Sequence, residues 1–358
     1  VREGDRMLQP LLTSDLLQSE MSVVRNEYER GENNSFEVLH KRIMATAYMA
    51  HPYHHSTIGW KSDIENVSAE SLKNFHDTFY TPSNATYTFV GNFDPAKVKD
   101  MVVESFSSIP RGKDPPAMYT LEPSQSGQRR VVVQRPSSTT LLGIAFKSVN
   151  GLHRDAIVLE VLSTLMTSGP SSPAELLKKK GVVHDVMPSW ERMKDPYLFS
   201  VWVTMNNASE QYIQNAEDAV MEMVMNYPKP SKEELENVKI GIENDWKESM
   251  ESTRGMASQI NEAISRGDPF DVYNRFDVLK SVSVDDIERV AKATFVKDKS
   301  TVGWFLPGEV KADLKPMKYD TTKLLSAPSI DKLTVPPTSH LQLEKMSSCD
   351  KTYAFTTY

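Results

Sequence analysis

Residues 67–90 and 282–305 are two copies of one pattern, related without a gap by a step of 215 positions. Val67 meets Val282, Ser68 meets Ser283, Glu70 meets Asp285 and Leu72 meets Ile287. Further on, Phe75 meets Val290, Tyr80 meets Phe295, Thr86 meets Thr301 and Phe89 meets Trp304. Each copy reads as a helix capped by its serine, with an acidic residue in the first turn and apolar positions at helical spacing. Each then runs into a strand, 85–91 or 300–306, rich in β-branched and aromatic residues. A single helix–strand match could be chance; eight agreeing positions in one register indicate tandem homologous domains.

The same step sets the domain plan. The second domain begins near Arg129, where Arg130-Val131-Val132-Val133-Gln134 opens a strand after the turn-rich stretch 111–127. Carried back, the first domain starts about 85 residues before Val1, so about half of it lies outside this sequence. The expected division is 1–110 as the later part of the first domain, 111–127 as linker, 128–310 as the second domain, and 311–358 as linker or tail. Inside the second domain, 154–166 has apolar residues at helical spacing. Residues 167–173 break that run and 174–180 start another helix, with Lys178, Lys179 and Lys180 suiting its last turn. Residues 198–204 alternate as a strand, and 210–227 and 232–250 are long amphipathic helices. Met221, Met223 and Met225 on the first of these read as core filler. Strands mixed with long helices predict an α+β fold, a mostly antiparallel sheet covered on one face by helices. The last segment, 347–358, has no readable periodicity.

Composition removes several classes. With 358 residues the chain is long enough for two cores. A formal net charge of −7 and no basic cluster beyond Lys178–Lys180 argue against nucleic-acid binding. Cys349 is the only cysteine, which leaves no intrachain disulfide and no cysteine-based metal site. No apolar run approaches the roughly 18 residues of a membrane span. There is no phosphate-binding Gly-Lys-Ser/Thr loop around Thr167-Ser168-Gly169 and no Gly-x-Ser-x-Gly elbow.

The candidate chemistry lies between Glu20 and Asp94. Glu20 and Glu27 are seven residues apart, about two turns of a helix, so both carboxylates point the same way. Val23 and Val24 fall between them, on the flank expected to face a core. A glutamate on a helix is ordinarily a solvated one, and the residues that follow are what distinguish this pair. They are His51-Pro52-Tyr53, Ile58-Gly59-Trp60, Ile64, Ser68-Ala69-Glu70, Phe79-Tyr80-Thr81-Pro82-Ser83-Asn84 and Val90-Gly91-Asn92-Phe93-Asp94. In that order and at those distances, the chain closely resembles the M16 (insulinase, pitrilysin and mitochondrial processing peptidase) zinc metallopeptidases, nearest to the bacterial-type branch with a long two-half chain. The resemblance covers about residues 5–310. It implies tandem M16-type (LuxS/MPP-like metallohydrolase) domains, here with the first incomplete.

The resemblance also implies a catalytic chemistry. M16 enzymes hold Zn2+ with two histidines of an inverted His-x-x-Glu-His motif, whose glutamate is the general base, and with a glutamate from a Glu-x6-Glu pattern on a later helix. By that pattern Glu27 is the expected zinc ligand, and Glu20 is expected to steady a ligand or a proton network beside it. The inverted motif is absent from these 358 residues; the family's spacing puts it roughly 50 residues before Val1, within the part the repeat leaves outside. His51-Pro52-Tyr53-His54-His55 has the histidine spacing but lacks the base, and Pro52 is a poor mid-helix residue. The Arg and Tyr that help long M16 enzymes hold peptide have no match on strand 198–203; Arg266 and Tyr273 share the spacing but lie in a helix–loop stretch. The expected function is zinc-dependent endopeptidase action on peptides or short unfolded polypeptides. A second M16 half would be in the same chain or a separate subunit, and the family favours a periplasmic, secreted or organellar setting. The alternatives are a non-catalytic structural or substrate-binding subunit, or an inactive truncated product.

Overall fold

The computed structural model describes residues 2–308 apart from 9, 170 and 206–208. The expected tail and Cys349 lie outside the described residues. The N-terminal part is helical: α1 (Arg2–Leu8), α2 (Ser14–Glu32), α3 (Ser35–Ala47), α4 (Lys61–Asn66), α5 (Ala69–Phe79) and α6 (Pro95–Phe106). After an extended linker come β1 (Arg129–Arg135), β2 (Leu141–Lys147), α7 (Arg154–Leu165), α8 (Pro173–Lys179), β3 (Asp185–Trp190) and β4 (Leu198–Thr204). The chain continues with α9 (Glu210–Met225), α10 (Lys232–Ser249), α11 (Thr253–Arg266), α12 (Asp271–Ser281), α13 (Val284–Thr294) and β5 (Ser300–Pro307).

The five strands form one sheet in the order β1-β5-β2-β4-β3. β1 runs parallel to β5 and every other pairing is antiparallel, with Gly143 opposite both Trp202 and Gly303. On one face Leu142, Ile144, Phe146, Phe199, Val201, Val203, Val302 and Trp304 pack under α7, α9, α10 and α13. The N-termini of α10 and α13 are fixed locally. Ser231 and Ser283 each form a reciprocal capping box, with Glu234 and Asp286 respectively. At one edge Glu217 of α9 takes two 2.7 Å bonds from Arg130 and a third from the Trp304 indole, linking β1, α9 and β5.

The expectation of helices on one face only is corrected. α3, from the N-terminal part, covers the opposite face, where Val38, Leu39, Ile43, Met44 and Ala47 pack on Val133, Ala145, Leu198, Trp202 and Phe305. β2, β4 and β5 are therefore buried on both sides, which is why their sequences are nearly continuous apolar runs. Gly143 and Gly303 allow the close approach, because a Cβ on either would run into Ile43.

A second expectation also fails: residues 85–91 form no strand. A strand needs neighbours for its backbone N–H and C=O groups, and no described segment pairs with this one. The repeat is nevertheless visible in the elements around it. α5 and α13 have identical bounds one 215-residue step apart, as do the short 3-10 turns Pro82–Asn84 and Lys297–Lys299. Both helices are capped by the expected serine, Ser68 or Ser283.

Candidate functional site

α2 starts at Thr13, whose hydroxyl accepts from the Leu16 N–H at 3.4 Å, and it carries Glu20 and Glu27 two turns apart. Both glutamates are exposed, and neither makes an ion pair or hydrogen bond with another side chain among the described residues. They share an exposed stripe with Leu16 and Val23. Val23 thus faces outward and not toward a core; Val24, Leu17, Met21 and Tyr28 form the half-buried flank. The end of α2 is anchored by Glu32, which takes 2.8 Å and 3.4 Å bonds from Arg135 of β1 and Lys41 of α3. Burial would raise the Glu32 carboxyl, but these two cations outweigh it and hold the group below its ordinary range.

The second half supplies a reference for this stripe. One step of 215 residues carries Glu20, Val23, Val24, Glu27 and Gly31 onto Leu235, Val238, Lys239, Ile242 and Trp246, and those five are the buried residues of α10. That face packs on α7, where the Trp246 indole donates to Glu160 at 2.9 Å. In α2, two positions that are apolar and buried in α10 are carboxylates instead. Carboxylates entering an interface of that kind require a cation or strong donors opposite them.

The histidines do not converge on the pair. His51 caps a short turn, its Nδ1 accepting from the Tyr53 N–H at 3.2 Å while its Nε2 lies 3.5 Å from Asp195. His54 bonds back to the His51 carbonyl. Among the described residues no group of three or more His, Cys, Asp or Glu side chains is placed to hold a metal ion. The donor set present, one carboxylate face without imidazoles, does not by itself fit zinc. Arg266 and Tyr273 do not form a peptide clamp either: Arg266 is buried and bonded to Asp271 at 3.0 Å, while Tyr273 is exposed.

One carboxylate escaped the sequence reading. Glu122, in the linker, accepts from the N–H groups of Met49, Ala50 and His51 at 2.9–3.1 Å and lies 3.2 Å from the Lys147 ammonium. Burial opposes ionisation, but the three N–H donors and Lys147 bring its pKa down to about 2. Lys147 in turn stands over the Tyr48 ring. These groups line one wall of a cavity of about 550 Å³ between the linker, the end of β2 and α13. Nothing in the local sequence around Glu122 signals the clamp, because its donors lie some 70 residues upstream.

The described fold is thus a helical N-terminal part followed by a five-stranded α+β domain. Residues 66–242 match the family model described as the peptidase M16 inactive domain. The chain belongs to the M16 peptidase family. It is similar to the zinc protease PqqE of Helicobacter pylori, 28% identical over 303 residues, covering 83% of this chain and 68% of that protein. It is also similar to the mitochondrial-processing peptidase subunit beta of Lentinula edodes, at 22% identity over 78% of this chain and 63% of the relative. The chain thus spans about two thirds of the length of these curated relatives. Among solved structures, a protease from Helicobacter pylori superposes with a TM-score of 0.78 at 27% identity, covering 85% of this chain and 75% of that one. A peptidase M16 inactive domain from Pseudomonas fluorescens shares the fold with a TM-score of 0.73 at 18% identity. Glu20 and Glu27 lie before the span matched by the family model.

Proposed function

We propose that this chain is the part of an M16 zinc endopeptidase that contributes Glu27 as one metal ligand and Glu20 as its support, joined to the inactive domain of the same protease. In this reading residues 1–110 belong to the catalytic domain, 111–127 to the linker and 128–310 to the second M16 domain. The observation that carries it is the alignment of α2 on α10. Glu20 and Glu27 stand where Leu235 and Ile242 face α7, so a counterpart of α7 would lie across from the two carboxylates. One step back, that counterpart falls about 50 to 60 residues before Val1, where the family's spacing also puts the His-x-x-Glu-His helix. Zinc, when bound there, would polarise the scissile carbonyl and acidify a water. What this chain itself would do is hold Glu27 at the metal, keep Glu20 against it, and present the linker and second domain as a fixed wall behind the helix. The substrates would be peptides and short unfolded polypeptides, enclosed with a second M16 half.

The test is hydrolysis of an unfolded peptide by the protein expressed from its own complete gene, with and without a chelator, beside Glu27→Gln. Cleavage that is lost on chelation and reduced at least a hundredfold by Glu27→Gln is expected. Chelator-insensitive cleavage, or an unaffected variant, sinks the reading.

A second reading has its own observation. The matched family model is that of the inactive domain, which suits a non-catalytic structural or substrate-binding subunit. Under that reading, no cleavage appears in any preparation and Glu27→Gln is silent.

A further inference from the structure

The cavity of about 550 Å³ between the linker, the end of β2 and α13 has no part in the metal reading. Its walls come from Tyr48 and His51, from linker residues 121–125, and from positions between 147 and 299 of the second domain. Three lining residues carry a buried polar atom with no hydrogen-bond partner among the described residues: His51 Nε2, Gln125 Oε1 and Ser148 Oγ. Buried polar atoms are ordinarily paired, so three around one cavity set it apart.

Two of the three have a fixed sense. His51 is only 4% exposed, and its Nδ1 accepts from the Tyr53 N–H at 3.2 Å. The ring proton therefore sits on Nε2, which is left as a donor. The Gln125 amide nitrogen donates to the carbonyls of Gly127, Asp298 and Ser300, which leaves Oε1 as an acceptor. The charges along the lining cancel: Lys147 and Lys299 stand against Glu122 and Asp195, and Asp155 is answered by Arg289 at 2.7 Å and 2.9 Å. Leu121, Val149, Pro196 and Ala293 supply apolar wall between the polar groups. The volume exceeds what an ion needs and lies in the range of organic ligand sites. A matching ligand carries separated opposite charges without net charge, an acceptor for His51, and apolar bulk.

We propose that this cavity binds a zwitterionic dipeptide with large aliphatic side chains. Lys147 takes its carboxylate, Asp195 and Gln125 Oε1 take its ammonium group, and His51 Nε2 donates to its peptide carbonyl. The side chains lie on Leu121, Val149, Pro196 and Ala293. The peptide carbonyl between the two charged ends is what favours two residues over a single amino acid. Once bound, the dipeptide touches the turn after α3, the linker and α13 together, and so ties the N-terminal part to the second domain.

The test is calorimetric titration of the protein expressed from its complete gene with Leu-Leu, beside N-acetyl-Leu-Leu and Leu-Leu amide. A chelator is present throughout, so the outcome does not depend on the peptidase reading. Binding of one Leu-Leu per chain is expected, with a rise in melting temperature that grows with ligand concentration. Either capped form, and the isosteric Asp195→Asn variant, should bind at least about tenfold more weakly. Ala293→Trp, at an exposed position of α13, should fill the cavity and abolish binding. No binding of Leu-Leu to the wild type at about 10 mM overturns the proposal. So do capped forms that bind as well as the free dipeptide, and so does binding that survives in Ala293→Trp, which would place the peptide elsewhere. Should Ala293→Trp fail to fold, Asp195→Asn decides, and unchanged affinity there overturns the assignment.

Discussion

Replacing Gly303 with alanine tests whether α3 truly seals the back of the sheet. The Gly303 backbone is not in the left-handed region, so alanine carries no conformational penalty there. Its Cβ would lie 2.5 Å from Ile43 Cγ1, 2.7 Å from Ile43 Cδ1 and 3.1 Å from Leu39 Cδ1. α3 is not free to withdraw. Its C-terminal carbonyls at Thr46 and Ala47 take bonds of 3.0 Å and 2.6 Å from Arg129, and the Tyr48 hydroxyl donates to the Pro196 carbonyl at 3.0 Å. Overpacking at a pinned contact of this kind costs about 1–3 kcal/mol, and Ile43→Ala alone should cost about 2–5 kcal/mol through its cavity. The two changes compensate in shape. The double variant should therefore be less destabilised than the sum by about 0.5–3 kcal/mol. Urea unfolding followed by tryptophan fluorescence and circular dichroism, with coincident transitions, gives the three values. Additivity within about 0.5 kcal/mol would refute the close approach.

Other expectations follow from single groups. Glu122→Gln should remove a pH dependence. The Glu122 pKa is about 2 in the fold against 4.5 unperturbed, so its contribution is present above the unfolded value and is lost as pH falls from about 4.5 toward 2. That contribution has an upper bound of about 3 kcal/mol, and acid unfolding of the variant should show a correspondingly shallower slope in that window. Trp246→Phe removes the donor to the buried Glu160 carboxylate and should cost about 1–3 kcal/mol in urea unfolding; a change below about 0.5 kcal/mol would show that the bond is idle. Ser283→Ala breaks the capping box on α13 and should lower stability by about 1 kcal/mol, with Ser283→Gly costing only a few tenths.

The sequence was most legible where structure is local. The serine caps, the helix after Ser283, and the strands at Arg129, Leu198 and Ser300 all carry their own signals within a few residues. Residues 85–91 carry the same strand signal as β5 yet form no strand, because pairing is supplied by neighbours and not by propensity. α3 was legible as helix, but its destination was not: Ile43 meets Gly143 and Gly303, which lie far along the chain. The spacing of Glu20 and Glu27 was legible as one face of a helix, and α2 carries both. Spacing does not say which way that face points: Glu20 and Glu27 are exposed on α2, while Leu235 and Ile242, one 215-residue step on, are buried on α10. Glu122 was invisible for the same reason as α3, since its partners at Met49 and Lys147 come from opposite sides of the linker.

The most direct measurement of the central proposal is zinc stoichiometry in the protein expressed from its complete gene, wild type beside Glu27→Gln and Glu20→Gln, after gel filtration in metal-free buffer. One zinc per chain in the wild type, lost in Glu27→Gln and weakened about 10- to 100-fold in affinity by Glu20→Gln, is the expected result. A wild type without zinc, or a Glu27→Gln variant that retains it fully, would contradict the assignment of Glu27 as a metal ligand.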